Sequence, residues 1–350
     1  MKSFRIETYG GPLREFDTNT PKPTGTEVLL KVRAAGVCHT DLHIWDGGYD
    51  MGGGKMLKMA DRGQTLPHTM GHETVGEVVS FGPECKEVKA GDVRLIYPWI
   101  GCGKCAVCRA DTEQLCPNPR YLGVFSHGGY ADHIVVPHPR YLIDIGSMTA
   151  EQAAPYACSG LTAFSALKKI GKERLAEPIL IIGAGGLGLM CLSLLKAMGA
   201  KGAVVADLDS AKREAAMKAG ALATVDPASP DAASQISKAI GGPLWAVVDF
   251  VGAPASWTLA LGTLSKGGYY VVVGLYGGEM MLSLPAIPLR ALSVFGSFVG
   301  SRPELIELID LAKSGKIPSI PITKRPLSEV NDALIDLKKG KQVGRAVLVP

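Results

Sequence analysis

The segment Gly183-Ala-Gly-Gly-Leu-Gly188 restricts the fold of this chain more than any other. It follows a short apolar run, Pro178-Ile-Leu-Ile-Ile182, and leads into Leu187, Met190, Cys191, Leu194 and Met198, which recur at helical spacing. A strand that is apolar throughout is one buried on both faces. Between such a strand and a helix, the G-x-G-x-x-G pattern has a geometric purpose. Its first glycine permits a tight turn, its second lets the backbone approach a pyrophosphate, and its third lets the helix pack closely on the sheet. The phosphates then meet the positive end of the helix. Asp207 closes the next apolar run, Ala203 to Ala206, where a carboxylate accepts hydrogen bonds from an adenosine ribose. That carboxylate would repel a 2′-phosphate and no arginine directly follows it, so the dinucleotide is read as NAD rather than NADP.

The pattern continues around the turn. Ser210 to Ala219 reads as a helix, and Ala246 to Phe250 and Tyr269 to Val273 read as further buried strands. Strands alternating with helices imply an α/β unit with a parallel, doubly wound sheet. The texture before residue 152 is different. Val28 to Ala34 and Thr74 to Phe81 mix apolar and polar positions as half-buried strands do. Asp46 to Gln64 is rich in glycine and without a clear period, and is expected to be a long surface loop. Near the end, Pro303 to Lys313 and Ser328 to Lys338 look like amphipathic helices, with Ser328 as a candidate N-cap, and Ala346 to Val349 a closing strand. A chain of 350 residues accommodates two domains. The expected division is a β-rich domain from 1–152 and 295–350, and a dinucleotide-binding domain over 153–294.

Hydrophobic residues make up 47% and charged residues 20%, the balance of a globular enzyme rather than a disordered tail. The net charge of +4, with no run of lysine or arginine, argues against a nucleic-acid partner. The charged N-terminus is unlike a signal peptide. Pro178 to Leu195 is apolar enough to suggest a membrane span, but its glycines fit a turn between strand and helix, which a span does not explain. A soluble, cytoplasmic protein with no membrane partner is expected.

Four of the eight cysteines crowd into one short segment, Cys102, Cys105, Cys108 and Cys116, within an expected lobe over residues 98–118. C-x2-C spacing outside a secreted context points to metal. Four thiolates this close in sequence, with no histidine among them, suit a closed tetrahedral zinc of structural role. An iron–sulfur centre is the rival, since its ligands are also closely spaced cysteines, and free or disulfide-bonded thiols are the remaining reading. Cys38-His-Thr40-Asp41-Leu-His43, Gly71-His72-Glu73 and Cys158 are scattered. Taken singly they have plain explanations, because free cysteines are commonly buried and a lone histidine is usually just hydrogen-bonded. Cys85 and Cys191 fit no pattern and are read as structural.

Taken together, these segments resemble the zinc-containing medium-chain dehydrogenases and reductases, specifically their NAD-dependent alcohol dehydrogenases. The resemblance covers essentially the whole chain. It is carried by Gly71-His-Glu-x-x-Gly76 with Gly82 beyond, the four-cysteine segment, Gly183 to Gly188, and the ending Gly344-Arg345-Ala-Val-Leu. It implies a GroES-like β-rich catalytic domain joined to a Rossmann coenzyme domain, NAD as cofactor, and two zinc ions per subunit. By the same resemblance Cys38, His72 and Cys158 hold a catalytic zinc with one open position, a ligand set general to alcohol dehydrogenases. Glu73 matches a carboxylate able to approach that metal, and Asp41 one that orients His72. Thr40 and His43 match a proton relay running past the cofactor ribose to solvent. Thr162 matches a contact at the nicotinamide end. Gly183, Gly185, Gly186, Leu187 and Gly188 form the pyrophosphate turn. Asp207 and Lys212 match adenosine-ribose contacts, Arg345 a pyrophosphate contact, and Val251 and Val273 further cofactor contacts.

The implied reaction is reversible oxidation of a primary or secondary alcohol to an aldehyde or ketone. A polyol or other specialised alcohol is the alternative, because specificity lies in pocket shape rather than in the ligand set. A non-catalytic NAD-binding relative would lack part of the ligand set or relay, and none is missing here. Trp45, Tyr49 and Trp99 either line an apolar channel, favouring cyclic or aromatic alcohols, or pack the core. The apolar stretch Met280 to Leu292 is either interface or core. The resemblance implies a homo-oligomer, a tetramer.

Overall fold

The computed structural model describes residues 1–350. The run Ile179–Ile182 forms a strand buried at every position, as an apolar segment with no polar face must be. It lies inside a six-stranded, wholly parallel sheet. Across that sheet the order is Ala223–Val225, Ala203–Ala206, Ile179–Ile182, Ala246–Asp249, Tyr269–Val272 and Ser293–Gly296. Numbered along the chain this is 3-2-1-4-5-6, the dinucleotide-binding order, whose direction reverses between Ile179–Ile182 and Ala246–Asp249. Ligands of open α/β sheets bind at that reversal, beyond the carboxyl ends of the strands.

The other sheet is built mainly of antiparallel strands. Val28–Val37 is its centre, paired with Glu73–Phe81, His133–Val136 and Arg345–Val349. The last of these crosses from the far end of the sequence and sets Ala346 opposite Val37. Ile322–Pro326 lies parallel to it. Helix Arg302–Lys313 carries the chain back from the parallel sheet. It is capped by Ser301, whose hydroxyl accepts the Glu304 N–H, and it buries Leu305, Leu308, Ile309 and Ala312. No helix is long and apolar enough to cross a membrane.

Three expectations change in detail. Residues 46–64 are not a structureless loop: Gly48–Asp50 pairs with Met56–Lys58 as a hairpin, followed by a 3-10 turn at Ala60–Arg62. The glycines that suggested looseness supply its turn, Gly52, Gly53 and Gly54 all lying at positive φ. Ser328 is not an N-cap, because a 3-10 turn over Leu327–Glu329 precedes helix Val330–Lys338. Of the stretch Met280 to Leu292, left open between interface and core, Met280, Met281, Leu284 and Leu289 are exposed and Leu292 alone is buried.

A three-stranded sheet, Arg14–Asp17, Lys2–Ile6 and His68–Thr69, flanks the main one. It buries His68, whose ring stacks on His127 with centroids 5.6 Å apart. Burial, reinforced by His127, pushes the His68 pKa down to about 4. Unfolding returns it to the ordinary 6.5, so between these values the unfolded chain binds a proton that the folded chain refuses. The resulting stability is intact above pH 6.5 and drains as pH falls towards 4, by on the order of 3 kcal/mol. Urea midpoints at pH 7 and pH 4.5 are expected to differ less in His68→Gln than in the parent. An equal acid loss in both would assign the effect to other groups.

Candidate active site

Cys38 ends the central strand Val28–Val37 and stands at the N-cap of helix His39–Asp46. Three residues into that helix, Asp41 reaches back so that its Oδ2 accepts the Cys38 N–H at 2.9 Å. The same oxygen accepts the Tyr130 hydroxyl at 2.9 Å, and Oδ1 lies 3.2 Å from His72 Nδ1. Gly71, just before His72, has φ +94 and no room for a side chain beside the Tyr130 ring. His72 is therefore delivered to one position, with Trp99 packed against it at 5.3 Å between ring centroids. Trp99 is itself fixed by its indole N–H, which donates to the Ala157 carbonyl at 3.0 Å, next to Cys158.

The outcome is a cluster assembled from three distant segments. Cys38 Sγ, Cys158 Sγ and a His72 ring nitrogen lie within 4.8 Å of one another, all buried. The thiols are 3.9 Å apart. Their hydrogen bond holds Cys38 well below the usual thiol range, helped by Arg345 and His72, and together with burial drives Cys158 well above it. Neither ring nitrogen of His72 makes a hydrogen bond of good geometry, Nδ1 only facing Asp41 Oδ1 at 3.2 Å. An orphaned imidazole nitrogen converging with two thiols fits a soft or borderline cation with one position left open, as zinc is in catalytic sites. Behind the cluster, Glu73 is fully buried and receives Arg345 Nε at 3.0 Å, a second contact from Arg345 Nη2, and the Ser159 N–H at 3.1 Å.

Thr40 and His43 are three apart on one helix and so share a face. His43 is stacked on Tyr49 of the hairpin, with centroids 4.7 Å apart, and burial lowers its pKa from 6.5. Trp45 faces elsewhere. Its N–H donates to the Gly11 carbonyl and its ring lies under the Lys338 ammonium, so it is a packing residue and not a channel wall. Trp99 instead continues into Tyr121 and Phe298, at 5.4 and 6.0 Å, as an aromatic wall beside His72.

At the reversal point of the parallel sheet, Gly183 has φ +95 and its missing side chain leaves space for Val251. A Cβ on Gly188 would stand inside the Gly183 carbonyl oxygen, which is the close helix–sheet packing required of the third glycine. Gly185 is the N-cap of helix Gly186–Ala197, and a Cβ there would meet nothing within 4 Å. That open space at a helix N-terminus fits a diphosphate. Leu187 lies in the first turn of the same helix. Asp207 Oδ2 accepts the Ala184 N–H at 2.7 Å, so the carboxylate is tied directly to the turn. Lys212 sits on the following helix, Ser210–Lys218. Thr162, on helix Ser159–Ile170, is buried with its hydroxyl unpartnered. Val251 and Val273 occupy neighbouring turns at the carboxyl ends of the next two strands.

Arg345 stands between the two units. Its guanidinium engages Glu73, while Nη1 lies 3.2 Å from where a Gly186 side chain would begin. The pairing of Glu73 with Arg345, the Tyr130 bond to Asp41 and the place of His39 escaped the sequence reading. His39 is exposed, and its pKa is lowered by partial desolvation and then by Arg345 and Lys212. Only its position beside Cys38 could have drawn attention to it.

The Cys102, Cys105, Cys108 and Cys116 thiols also lie within 4.8 Å of one another, Cys105 being 3.4 Å from Cys108 and 3.7 Å from Cys116, and Cys102 4.0 Å from Cys108. These are too long for disulfides. They match the edge of a tetrahedron of about 3.8 Å that follows from a zinc–sulfur bond of about 2.3 Å, and they leave no room for a multinuclear cluster. Gly101 must lack a side chain because one would meet Cys108 Sγ. Buried Glu113 moors the lobe by accepting the Gly101 N–H and the Tyr141 hydroxyl, each at 2.9 Å.

Two family models match the chain: "Alcohol dehydrogenase GroES-like domain" over residues 24–147 and "Zinc-binding dehydrogenase" over residues 186–314. An NAD-dependent alcohol dehydrogenase of Sulfurisphaera tokodaii is 36% identical, the match covering 100% of each chain. A D-arabinose 1-dehydrogenase (NADP(+)) of Saccharolobus solfataricus is 32% identical over 100% of this chain and 97% of its own. The crystal structure of the alcohol dehydrogenase from Aeropyrum pernix superposes with a TM-score of 0.89 at 32% identity, covering 100% of both chains.

Proposed function

The chain belongs to the zinc-containing medium-chain dehydrogenase/reductase family, and we propose that it oxidises alcohols reversibly to aldehydes or ketones by hydride transfer to NAD. The observation that carries this reading is the convergence of Cys38, Cys158 and an unpartnered ring nitrogen of His72 in one buried cluster. Zinc held by Cys38, His72 and Cys158 would supply a Lewis acid that makes an alcohol hydroxyl acidic near neutral pH, and NAD over Gly183 to Gly188 the hydride acceptor.

The chain's own residues do the rest. Asp41, 3.2 Å from His72 Nδ1, selects the tautomer that turns a lone pair at Nε2 towards the cluster. Thr40 takes the hydroxyl proton, and His43 carries it to solvent. Its lowered pKa keeps His43 neutral at pH 7 and able to accept. Tyr49 holds that ring by stacking. Asp207 and Lys212 receive the adenosine ribose, and Arg345 and the Gly185 cradle the pyrophosphate. Thr162, Val251 and Val273 wall the nicotinamide end, where they fix the reacting face and exclude water. Glu73, beside the cluster, offers a carboxylate for metal exchange. The four-cysteine lobe binds a second, structural zinc. The aromatic wall of Trp99, Tyr121 and Phe298 supports primary, secondary, cyclic and aromatic alcohols as substrates. The exposed Met281, Leu284 and Leu289 support self-association, here as a cytoplasmic homotetramer.

The test follows NAD reduction over aliphatic, cyclic and aromatic alcohols, before and after chelation and zinc restoration. Activity lost on chelation and regained with zinc is the expected result. The 32%-identical arabinose dehydrogenase makes sugars and NADP the necessary comparison arms. A preference for either would move the substrate or cofactor assignment, and no oxidation of any hydroxyl would end the proposal.

A further inference from the structure

Asp249 is fully buried at the carboxyl end of strand Ala246–Asp249, and nothing in the reaction described above uses it. It receives six hydrogen bonds. Oδ1 accepts the Val251 N–H at 2.8 Å and the Gly252 N–H at 3.0 Å. Oδ2 accepts the Ser256 and Tyr270 hydroxyls, each at 2.6 Å. Its backbone carbonyl accepts the N–H groups of Val273 and Gly274, each at 2.9 Å. The side chain thus shapes the turn that follows its own strand, and the main chain shapes the turn that follows the neighbouring strand Tyr269–Val272.

Those two turns leave no slack. Gly252 has φ +70, and a side chain there would run into the Gly274 carbonyl, just as one on Gly274 would run into the Val251 backbone. Val251 Cγ2 would lie 3.1 Å from a Cβ on Gly183, so the same turn abuts the glycine-rich one. The Val251 carbonyl then accepts the Tyr276 N–H at 3.0 Å, passing the constraint into the next loop.

We infer that Asp249 is a positioning residue for the dinucleotide: it holds the Val251 and Val273 turns in one register against the nicotinamide end. The inference rests on the proposed NAD site. The physical reason is the mismatch between a buried carboxylate, which accepts from every side, and any replacement that must also donate. In Asp249→Asn the amide oxygen can keep Val251 and Gly252, but its NH2 can only donate to the Tyr270 hydroxyl oxygen, which leaves the Tyr270 hydrogen without its acceptor. Ser256 has another acceptor in the Ala253 carbonyl at 2.8 Å, whereas no other partner is recorded for Tyr270.

The experiment measures NADH affinity by fluorescence, KM for NAD, kcat and thermal midpoint on the full-length protein. Asp249→Asn is expected to raise Kd for NADH and KM for NAD about tenfold, the mid-range for a buried donor left unmatched, with kcat at saturating NAD within about twofold. Adding Tyr270→Phe removes the hydroxyl left without an acceptor and should bring Kd back to within about threefold of the parent. Should Asp249→Asn not fold, Ser256→Ala with Tyr270→Phe strips Oδ2 of both donors and should raise Kd about fivefold. A lowered thermal midpoint with parental Kd in these variants would make Asp249 merely structural and overturn the inference. Failure of the parent itself to bind NADH would instead remove the proposed function.

Discussion

His72→Ala is expected to lower kcat/KM for alcohol oxidation by at least about a thousandfold, corresponding to roughly 4 kcal/mol of lost transition-state stabilisation. It should also remove one zinc equivalent per chain. The magnitude follows from the geometry. His72 offers the only nitrogen in a buried cluster of three that could hold a metal ion, and its Nδ1 lies 3.2 Å from Asp41. Removing the ring leaves two thiols 3.9 Å apart with no nitrogen beside them, and a cavity next to Asp41. NADH affinity should hold within a few fold, because the glycine-rich turn belongs to the other unit. Metal content, kcat/KM and NADH titration on one preparation check all three. Parental activity with an unchanged zinc count would remove the catalytic assignment of the cluster. Lost activity accompanied by lost NADH binding would point to unfolding rather than chemistry.

The parts of this molecule that could be read from the sequence are those whose physical cause is local. A wholly apolar four-residue run, three glycines at fixed offsets and a helical repeat lie within twenty-odd residues of one another, and each restricts the backbone directly. The four thiols of the lobe are likewise close in sequence, and the spacing itself favours metal. The three-ligand cluster is different. Cys38 and Cys158 are 120 residues apart, so only resemblance joined them before the fold did, and the pairing of Glu73 with Arg345, 272 residues apart, was not read at all. What escaped altogether has no local signature. Asp249 is an ordinary aspartate after three apolar residues until Tyr270 and Ser256 are folded onto it. The hairpin at 48–58 was hidden because strands of three residues are too short to show a period, and the glycines between them suggest freedom where they serve a turn. Ser328 has the right chemistry for a cap, but the 3-10 turn after Pro326 moves the helix start past it.

Two glycines of the same turn are expected to fail in opposite ways when given a methyl group. Gly188 is pressed against the Gly183 carbonyl, a backbone atom that has no rotamer with which to escape. In Gly188→Ala helix Gly186–Ala197 must lift from the sheet, costing packing along Leu189, Met190, Leu192 and Leu194, all buried. Overpacking of this kind costs about 1–3 kcal/mol where neighbours can adjust, and a rigid backbone neighbour places this case at the upper end. Gly185→Ala meets nothing in the protein, and the φ of −71° at that position suits alanine, so its thermal midpoint should match the parent. Its methyl group would fill the space that the diphosphate needs, and NADH affinity should fall about a hundredfold or more, equivalent to about 2.7 kcal/mol. The contrast separates a turn that is only well packed from one built to hold phosphate. If the open space served no ligand, Gly185→Ala would be silent in both assays. A fall in stability matching that of Gly188→Ala would mean that the cradle is not open in solution. Lost affinity at an unchanged thermal midpoint is the signature of a bound pyrophosphate, because the only atoms the new methyl can displace there are not the protein's own.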